Sequence, residues 1–310
     1  MNEWDEASQY AQDVLDGKYD VCKTVKQSCK IHLDLLDDVR RGLHKGKFRY
    51  SERAVRHFIE FTEGTIRHFE GIESLIGTLI RWQPWQKYFF GNIYGWQAYD
   101  EDFNIWTWKH KEVYLEVPKK NGKSFMLSGI ALYDARMVLP SGAKVYIIAC
   151  DGGQVKNVFG PCCHFIRDDE RLRETFAHVG THIYYVDDRS SFIQALPKQK
   201  ENADGKNVLT VIADELHAHT DDGQFYRRMR RGMSARPNRH IIAITTAGFD
   251  RFTFCKRHRD GLIPLLSEPE KDMGVFPLIY SVDEEDKENW KDERVWKKSN
   301  PNYGISKTPS

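Results

Sequence analysis

Five short apolar runs constrain this chain more than any other feature. They are VYLEV (113–117), AKVYIIAC (143–150), VLTVIAD (208–214), RHIIAITTAG (239–248) and GVFPLIYSV (274–282). Each is dense in β-branched and aromatic residues and lacks the in–out alternation of a strand with one wet face. Strands buried on both faces have this composition, and helical stretches separate them; THIYYV (181–186) adds a sixth candidate. The pattern predicts an α/β fold with a mostly parallel sheet wrapped by helices.

The first eighty residues read differently. SERAVRHFIEFTEGTIRHFEG (51–71) carries apolar residues at helical spacing with Ser51 as its N-cap, and little around it resembles a strand. The expected division is a helical N-terminal region or lid (1–80), a core (81–282) and a C-terminal lid or linker (283–310). In that last segment DEEDKENWKDE reads as a charge-balanced, solvated loop.

With 310 residues the chain can bury a sizeable core as one large domain or one domain with appended subdomains. A net charge of +1 excludes a whole-molecule field that attracts nucleic acid, so any grip on it must be local. Six scattered cysteines without paired zinc spacing point to reduced thiols. No apolar run approaches bilayer length, and the start lacks the basic and apolar regions of a signal peptide. No membrane association and a cytosolic location are expected.

The stretch LEVPKKNGKSFMLSGIALY (115–133) places a strand, a tight turn and a strongly apolar helix in succession. Its Gly-Lys-Ser ending is that of a phosphate-binding loop, although Val117 stands where such a loop opens with glycine. Backbone amides of the turn and the helix N-terminus point at one spot and favour a polyphosphate there. Lys123 would reach the β and γ phosphates, Ser124 would hold Mg²⁺, and Gly122 would let the backbone approach. The competing reading is a surface turn with a chance tripeptide, which the strand before it and the buried helix after it disfavour.

Phosphoryl transfer also needs a metal-binding acid and a group that orients water. VLTVIADELHAH delivers Asp214 to the carboxyl end of a buried strand, where open α/β sheets place their ligands. Asp214 would hold the metal through water, and Glu215 would polarise the attacking water. His217 and His219 with Asp214 form a competing metal reading that lacks a further ligand cluster. At the end of another strand, Thr245, Thr246, Ala247 and Gly248 could sense the γ-phosphate or form a plain strand-to-turn junction.

Taken together, EVPKKNGKS, ADELHAH, ITTAGFDR and the closing NPNYG resemble the large terminase subunit of tailed bacteriophages, from about Trp82 onward. The resemblance implies a RecA-like, ASCE-type P-loop NTPase that hydrolyses ATP with Mg²⁺ and moves double-stranded DNA into a procapsid without sequence preference. It implies a homo-oligomeric ring, a portal protein and a small terminase subunit as partners, and the cytoplasm of a bacterial host. The family's variant loop lacks the opening glycine, so Pro118, Lys119, Lys120, Asn121, Gly122, Lys123 and Ser124 become nucleotide-binding residues. Lys119 takes the place of a cis finger on the γ-phosphate where arginine is frequent; lysine cannot make arginine's planar bidentate contact.

QPWQKYFFGNIYGW (83–96) resembles the family's adenine motif, with Gln86 reading the base edge and Trp85 or a nearby aromatic against its face. The alternative is an aromatic helix packed on the core. Thr245 and Thr246 become part of the coupling motif. ENADGKN (201–207) and CDGGQVKNVF (150–159) resemble segments that face DNA or a neighbouring subunit. In YRRMRRGMSARPNR (226–239), Arg228, Arg231 and Arg236 are candidates for a finger reaching a neighbour's nucleotide, worth about 10³–10⁵ in rate where such fingers act. A solvated basic helix face is the bland alternative for each.

In the family a nuclease domain follows, and this chain stops about where it would begin. The expectation is an ATPase half without cleavage activity. A DExH-type helicase shares several of these motifs but needs a second RecA-like domain. A nucleotide-binding scaffold without turnover is the non-enzymatic alternative.

Overall fold

The computed structural model describes residues 5–137, 142–149, 152–197, 207–219, 221–246, 253–268 and 274–306. Its centre is an eight-stranded sheet. In chain order the strands are β4 (Glu112–Glu116), β5 (Lys144–Ala149), β6 (Phe176–Val179), β7 (His182–Tyr185), β8 (Phe192–Pro197), β9 (Thr210–Ala213), β10 (His240–Thr245) and β11 (Val275–Ile279). They lie side by side as β11-β4-β10-β9-β5-β8-β7-β6. The first six in that row run parallel, and β7 and β6 extend the edge antiparallel. This is the mostly parallel α/β sheet that the apolar runs predict.

Both faces are covered. On β4, Val113 and Leu115 enter one core while Tyr114 enters the other. Val145 and Ile147 oppose Tyr146 and Ile148 on β5, and Ile242 and Ile244 oppose Ile241 and Ala243 on β10. A strand with apolar packing on each side has no solvent face to mark with polar residues, which explains the uninterrupted runs.

The larger core holds α5 (Lys123–Met137), whose residues Met126 to Ala135 are all buried. On it pack α1 (Glu6–Leu15), α2 (Lys23–Arg40), α3 (Glu52–Thr65) and α4 (Pro84–Phe90), together with α6 (Gly152–Asp168) and the short α7 (Glu170–Thr175). Ser51 caps α3 by accepting from the Ala54 N–H at 3.3 Å. The N-terminal helices therefore share one continuous core with the sheet. The other face carries α8 (Gln224–Arg231) and α9 (Phe254–Leu262).

One buried cluster stitches these layers together. The Asp134 carboxylate of α5, fully buried, accepts from Tyr94 Oη at 2.9 Å and Thr210 Oγ1 at 2.7 Å, and lies 2.8 Å from His240 Nε2. A buried carboxylate needs that number of partners to offset its lost hydration.

Two expectations need correction. The N-terminal eighty residues do contain a strand, β1 (Phe48–Tyr50), which pairs with β2 (Trp96–Asp100) in a three-stranded antiparallel sheet completed by β3 (Ile105–Trp108). Three residues are too few to display a period, and the partner lies almost fifty positions away. The acidic stretch near the C-terminus is not a loop: a 3₁₀ turn at Glu284–Asn289 leads into α10 (Glu293–Ser299), capped by Asp292. The five described cysteines are unpaired thiols, and no described helix is long and apolar enough to cross a membrane.

Candidate active site

The loop between β4 and α5 is held by backbone. Val117 N–H donates to Thr245 C=O at 3.1 Å, which moors the loop's start to the end of β10. Lys120 and Gly122 both adopt left-handed backbone, at φ +67° and +74°. At Gly122 an added Cβ would lie 3.1 Å from Gln86 Nε2, so a side chain there would strain the backbone and make the Gln86 amide give way. Lys123 opens α5 nearly buried, its Nζ donating to Val117 C=O at 3.3 Å and Pro118 C=O at 3.2 Å. Burial lowers its pKa, while the charges of Glu215 and Asp214 oppose that shift. Ser124 follows half-buried in the first helical turn, and Lys119 stands exposed on the loop.

Two strands along from β4, beyond β10, β9 is buried throughout and leads into Asp214. Asp214 is 3 % exposed, and its Oδ1 accepts the Glu215 N–H at 3.0 Å. Burial first, and the adjacent Glu215 charge second, push its carboxyl up to about 6, against the pull of that hydrogen bond and of Lys123. Glu215 sits in left-handed backbone (φ 49°, ψ 54°). Burial acts to raise its pKa, but the His217 hydrogen bond and the charges of Lys123, His217 and Lys119 outweigh it and hold the group below the usual range. The charge of Lys123 thus acts on both Asp214 and Glu215, and that of Lys119 on Glu215.

The end of β10 joins this cluster. His217 Nδ1 lies 3.1 Å from Glu215 Oε2 and 2.9 Å from Thr245 Oγ1, and Thr246 Oγ1 donates to Glu215 Oε2 at 3.4 Å. His217 is thereby turned to Glu215 and the threonines rather than grouped with His219 around a metal. Among the described residues no three His, Cys, Asp or Glu side chains cluster as a metal site. Ala247, Gly248 and the segment 201–206 lie outside the described residues, as do Cys150 and Asp151.

At the other end of the loop, four buried amide side chains meet. Asn121 Nδ2 donates to Asn300 Oδ1 at 2.7 Å and to Pro118 C=O at 3.0 Å, and Asn121 Oδ1 accepts the Asn302 N–H at 3.0 Å. Trp85 Nε1 donates to Asn302 Oδ1 at 2.7 Å. Gln86 Nε2 donates to Asn121 C=O at 3.3 Å, and its Oε1 accepts the Gln83 N–H at 2.9 Å. These residues belong to the expected adenine motif, and here they are tied to the loop. Both polar ends of Gln86 are engaged within the fold, and the Trp85 ring is buried in the core, so α4 braces the loop. The roles of Asn300 and Asn302 were invisible in sequence beyond the quoted NPNYG, because their partner lies about 180 positions earlier.

The arginine candidates separate. Arg231 is exposed on α8 and, with Arg227 and Arg230, lines an open cleft of about 380 Å³. Arg228 is half-buried, and neither Arg228 nor Arg231 forms an ion pair among the described residues. Arg236 instead donates to Asn207 Oδ1 at 3.1 Å and to Gly142 C=O, within its own chain.

Comparison with known proteins shows the family and the fold. The family model described as "Terminase large subunit, ATPase domain" matches residues 84–262. Protein YmfN of Escherichia coli (strain K12) is 37% identical over 109 residues, which is 35% of this chain and 23% of that protein. The crystal structure of the HK97 bacteriophage large terminase superposes with a TM-score of 0.66 at 18% identity, over 82% of this chain and 49% of the other. The chain thus spans well short of the full length of either, and the second likeness is one of fold.

Proposed function

The chain belongs to the family of terminase large subunit ATPase domains, and on that premise we propose that it hydrolyses ATP between the 118–124 loop and the Asp214–Glu215 turn to drive double-stranded DNA into a procapsid. The observation that carries this reading is the mutual electrostatic influence of Lys123 with Asp214 and Glu215 across the end of β10. A loop that cradles phosphates is chemically idle without acids at that place, and the reverse holds too.

The donor set fits a triphosphate with Mg²⁺. Gly122 is exposed and carries no side chain, which leaves the loop's backbone open to a close approach. A hydroxyl at Ser124 and a carboxylate at Asp214 are hard oxygen donors, few in number, as Mg²⁺ takes when phosphates complete its shell. Asp214, a buried acid beside a second acid, gains most from a cation. Bound there, Mg²⁺ would neutralise charge developing on the phosphate oxygens.

In this proposal Lys123 leaves its own loop carbonyls for the β and γ phosphates, and Ser124 and Asp214 hold the metal. Glu215 orients the attacking water and accepts its proton. Lys119, exposed and close enough for its charge to act on Glu215, approaches the γ-phosphate as a point charge. Thr245 and Thr246 register loss of that phosphate. Arg228 or Arg231 reaches a neighbour's nucleotide in a homo-oligomeric ring; Arg236 must first release Gly142. DNA is gripped through its phosphates without sequence preference, so binding weakens steeply with salt. A portal protein and a small terminase subunit are the proposed partners, and the bacterial cytoplasm the place of action. Residues 1–80 and 283–310 flank the site as a helical region and a lid or linker.

The test is steady-state ATP hydrolysis by the wild type, Lys123→Ala and Glu215→Gln, with Mg²⁺ and DNA. Turnover in the wild type and its loss in both variants is expected. Equal rates in all three would overturn the proposal.

A further inference from the structure

We propose that His217 is a positioning residue that fixes the Glu215 carboxylate to the end of β10. The proposal deepens the ATPase reading and rests on it.

His217 Nδ1 lies 3.1 Å from Glu215 Oε2, an oxygen that only accepts. A lone pair on Nδ1 would face a lone pair on the carboxylate, so Nδ1 carries the hydrogen. The same N–H is shared with Thr245 Oγ1 at 2.9 Å. Thr245 Oγ1 also accepts the His217 backbone N–H at 3.2 Å, and it sends its own hydrogen to Thr246 C=O at 3.0 Å. Thr246 Oγ1 donates to the same Glu215 oxygen at 3.4 Å. Every hydrogen in this circuit has one consistent direction.

The circuit divides the two Glu215 oxygens. Oε2 takes both donors, while no hydrogen bond to Oε1 is made among the described residues. Glu215 also sits in left-handed backbone that a residue other than glycine holds only with support from its surroundings. His217 supplies that support twice, through its ring and through its backbone N–H, and it reaches across 28 positions of sequence to do so. One oxygen is held by β10, and the other, which has no protein partner among the described residues, is placed to accept from water. A shift of Thr245 therefore reaches the carboxylate through His217, while Thr246 also touches it directly.

The decisive comparison uses side-chain isosteres in the full chain. In asparagine, Nδ2 occupies the place of imidazole Nδ1, whereas glutamine's Nε2 mimics the remote ring nitrogen. His217→Ala and His217→Gln should lower kcat by about ten- to a hundredfold, a loss typical of a misplaced reacting group. Their KM for ATP should remain near wild type, because the 118–124 loop and Lys123 are untouched. His217→Asn should restore most of kcat. A second readout needs no turnover: ¹⁵N NMR of histidine-labelled protein, with the His217 resonance assigned by its loss in His217→Asn, should report the Nδ1–H tautomer of the neutral ring.

Three results would overturn the inference. They are wild-type kcat in all variants, equal loss in Ala, Gln and Asn variants, or an Nε2–H tautomer. If the wild type itself fails to hydrolyse ATP, the ATPase reading falls, and the tautomer still decides the His217 geometry.

Discussion

Replacing Asp214 with asparagine should make the protein more stable at neutral pH. Burial and the Glu215 charge move this carboxyl from 3.8 to about 6. The sign follows from linkage. The folded chain holds the proton more tightly than the unfolded chain, so its stabilising contribution is complete below the unfolded value and is lost as pH rises through the folded one. Each pKa unit is worth about 1.4 kcal/mol, so the ionised carboxylate costs the fold about 3 kcal/mol once pH is well above 6. The amide of Asp214→Asn never ionises, yet it keeps an oxygen to accept the Glu215 N–H. Urea unfolding followed by circular dichroism, in EDTA and without nucleotide, measures the difference. The variant should exceed the wild type by about 3 kcal/mol near pH 8, with the gap closing towards zero near pH 4. With Mg²⁺ and a non-hydrolysable ATP analogue present the order should reverse, because only the wild type gains by ligand binding. No gap at the alkaline end, or one that ignores pH, would refute the reasoning.

Gly122→Ala places a side chain at φ +74° against Gln86 Nε2 and should cost about 1–2 kcal/mol, with weaker binding of a fluorescent ATP analogue. Asn302→Ala strips the buried Trp85 N–H of its acceptor; a loss of about 1–3 kcal/mol in urea unfolding is expected. Arg259 Nε donates to both oxygens of buried Glu116, at 3.0 and 2.9 Å, so Arg259→Ala should cost about 3–5 kcal/mol. Much of that loss should return in the Arg259→Ala, Glu116→Gln double variant, because the stranded charge is gone.

What the sequence revealed, and what it hid, follows from where the determinants lie. β4, β5, β9 and β10 were legible because both faces of each are packed, which forces an unbroken apolar run. The loop and the acidic turn were legible because strand, turn and first side chains are contiguous. By contrast β8, FIQALP, carries a glutamine and ends in proline, and β6 is four residues with two exposed. Both depend on partners that local composition does not announce. The aromatic stretch after Gln83 read as one segment, yet it divides into α4, a π-helical turn at Gly91–Gly95 and β2. The bond from the Gln86 amide to Asn121 C=O was not legible either, since its acceptor lies 35 positions away on the loop. His217 showed no sign of its partner because Thr245 lies on a strand far along the chain.

The sheet order makes β10 a gauge. It separates the strand bearing the loop from the strand bearing the acids, and adjacent strands lie about 4.8 Å apart, so the two are spaced by about 10 Å. Ladder hydrogen bonds set that span, not the side chains that line it. Substitutions in the cleft can therefore change which charges oppose each other while the width between them stays constant. Only a change in the pitch of the sheet would alter the width, and Val117, moored to Thr245, would be the first residue to move.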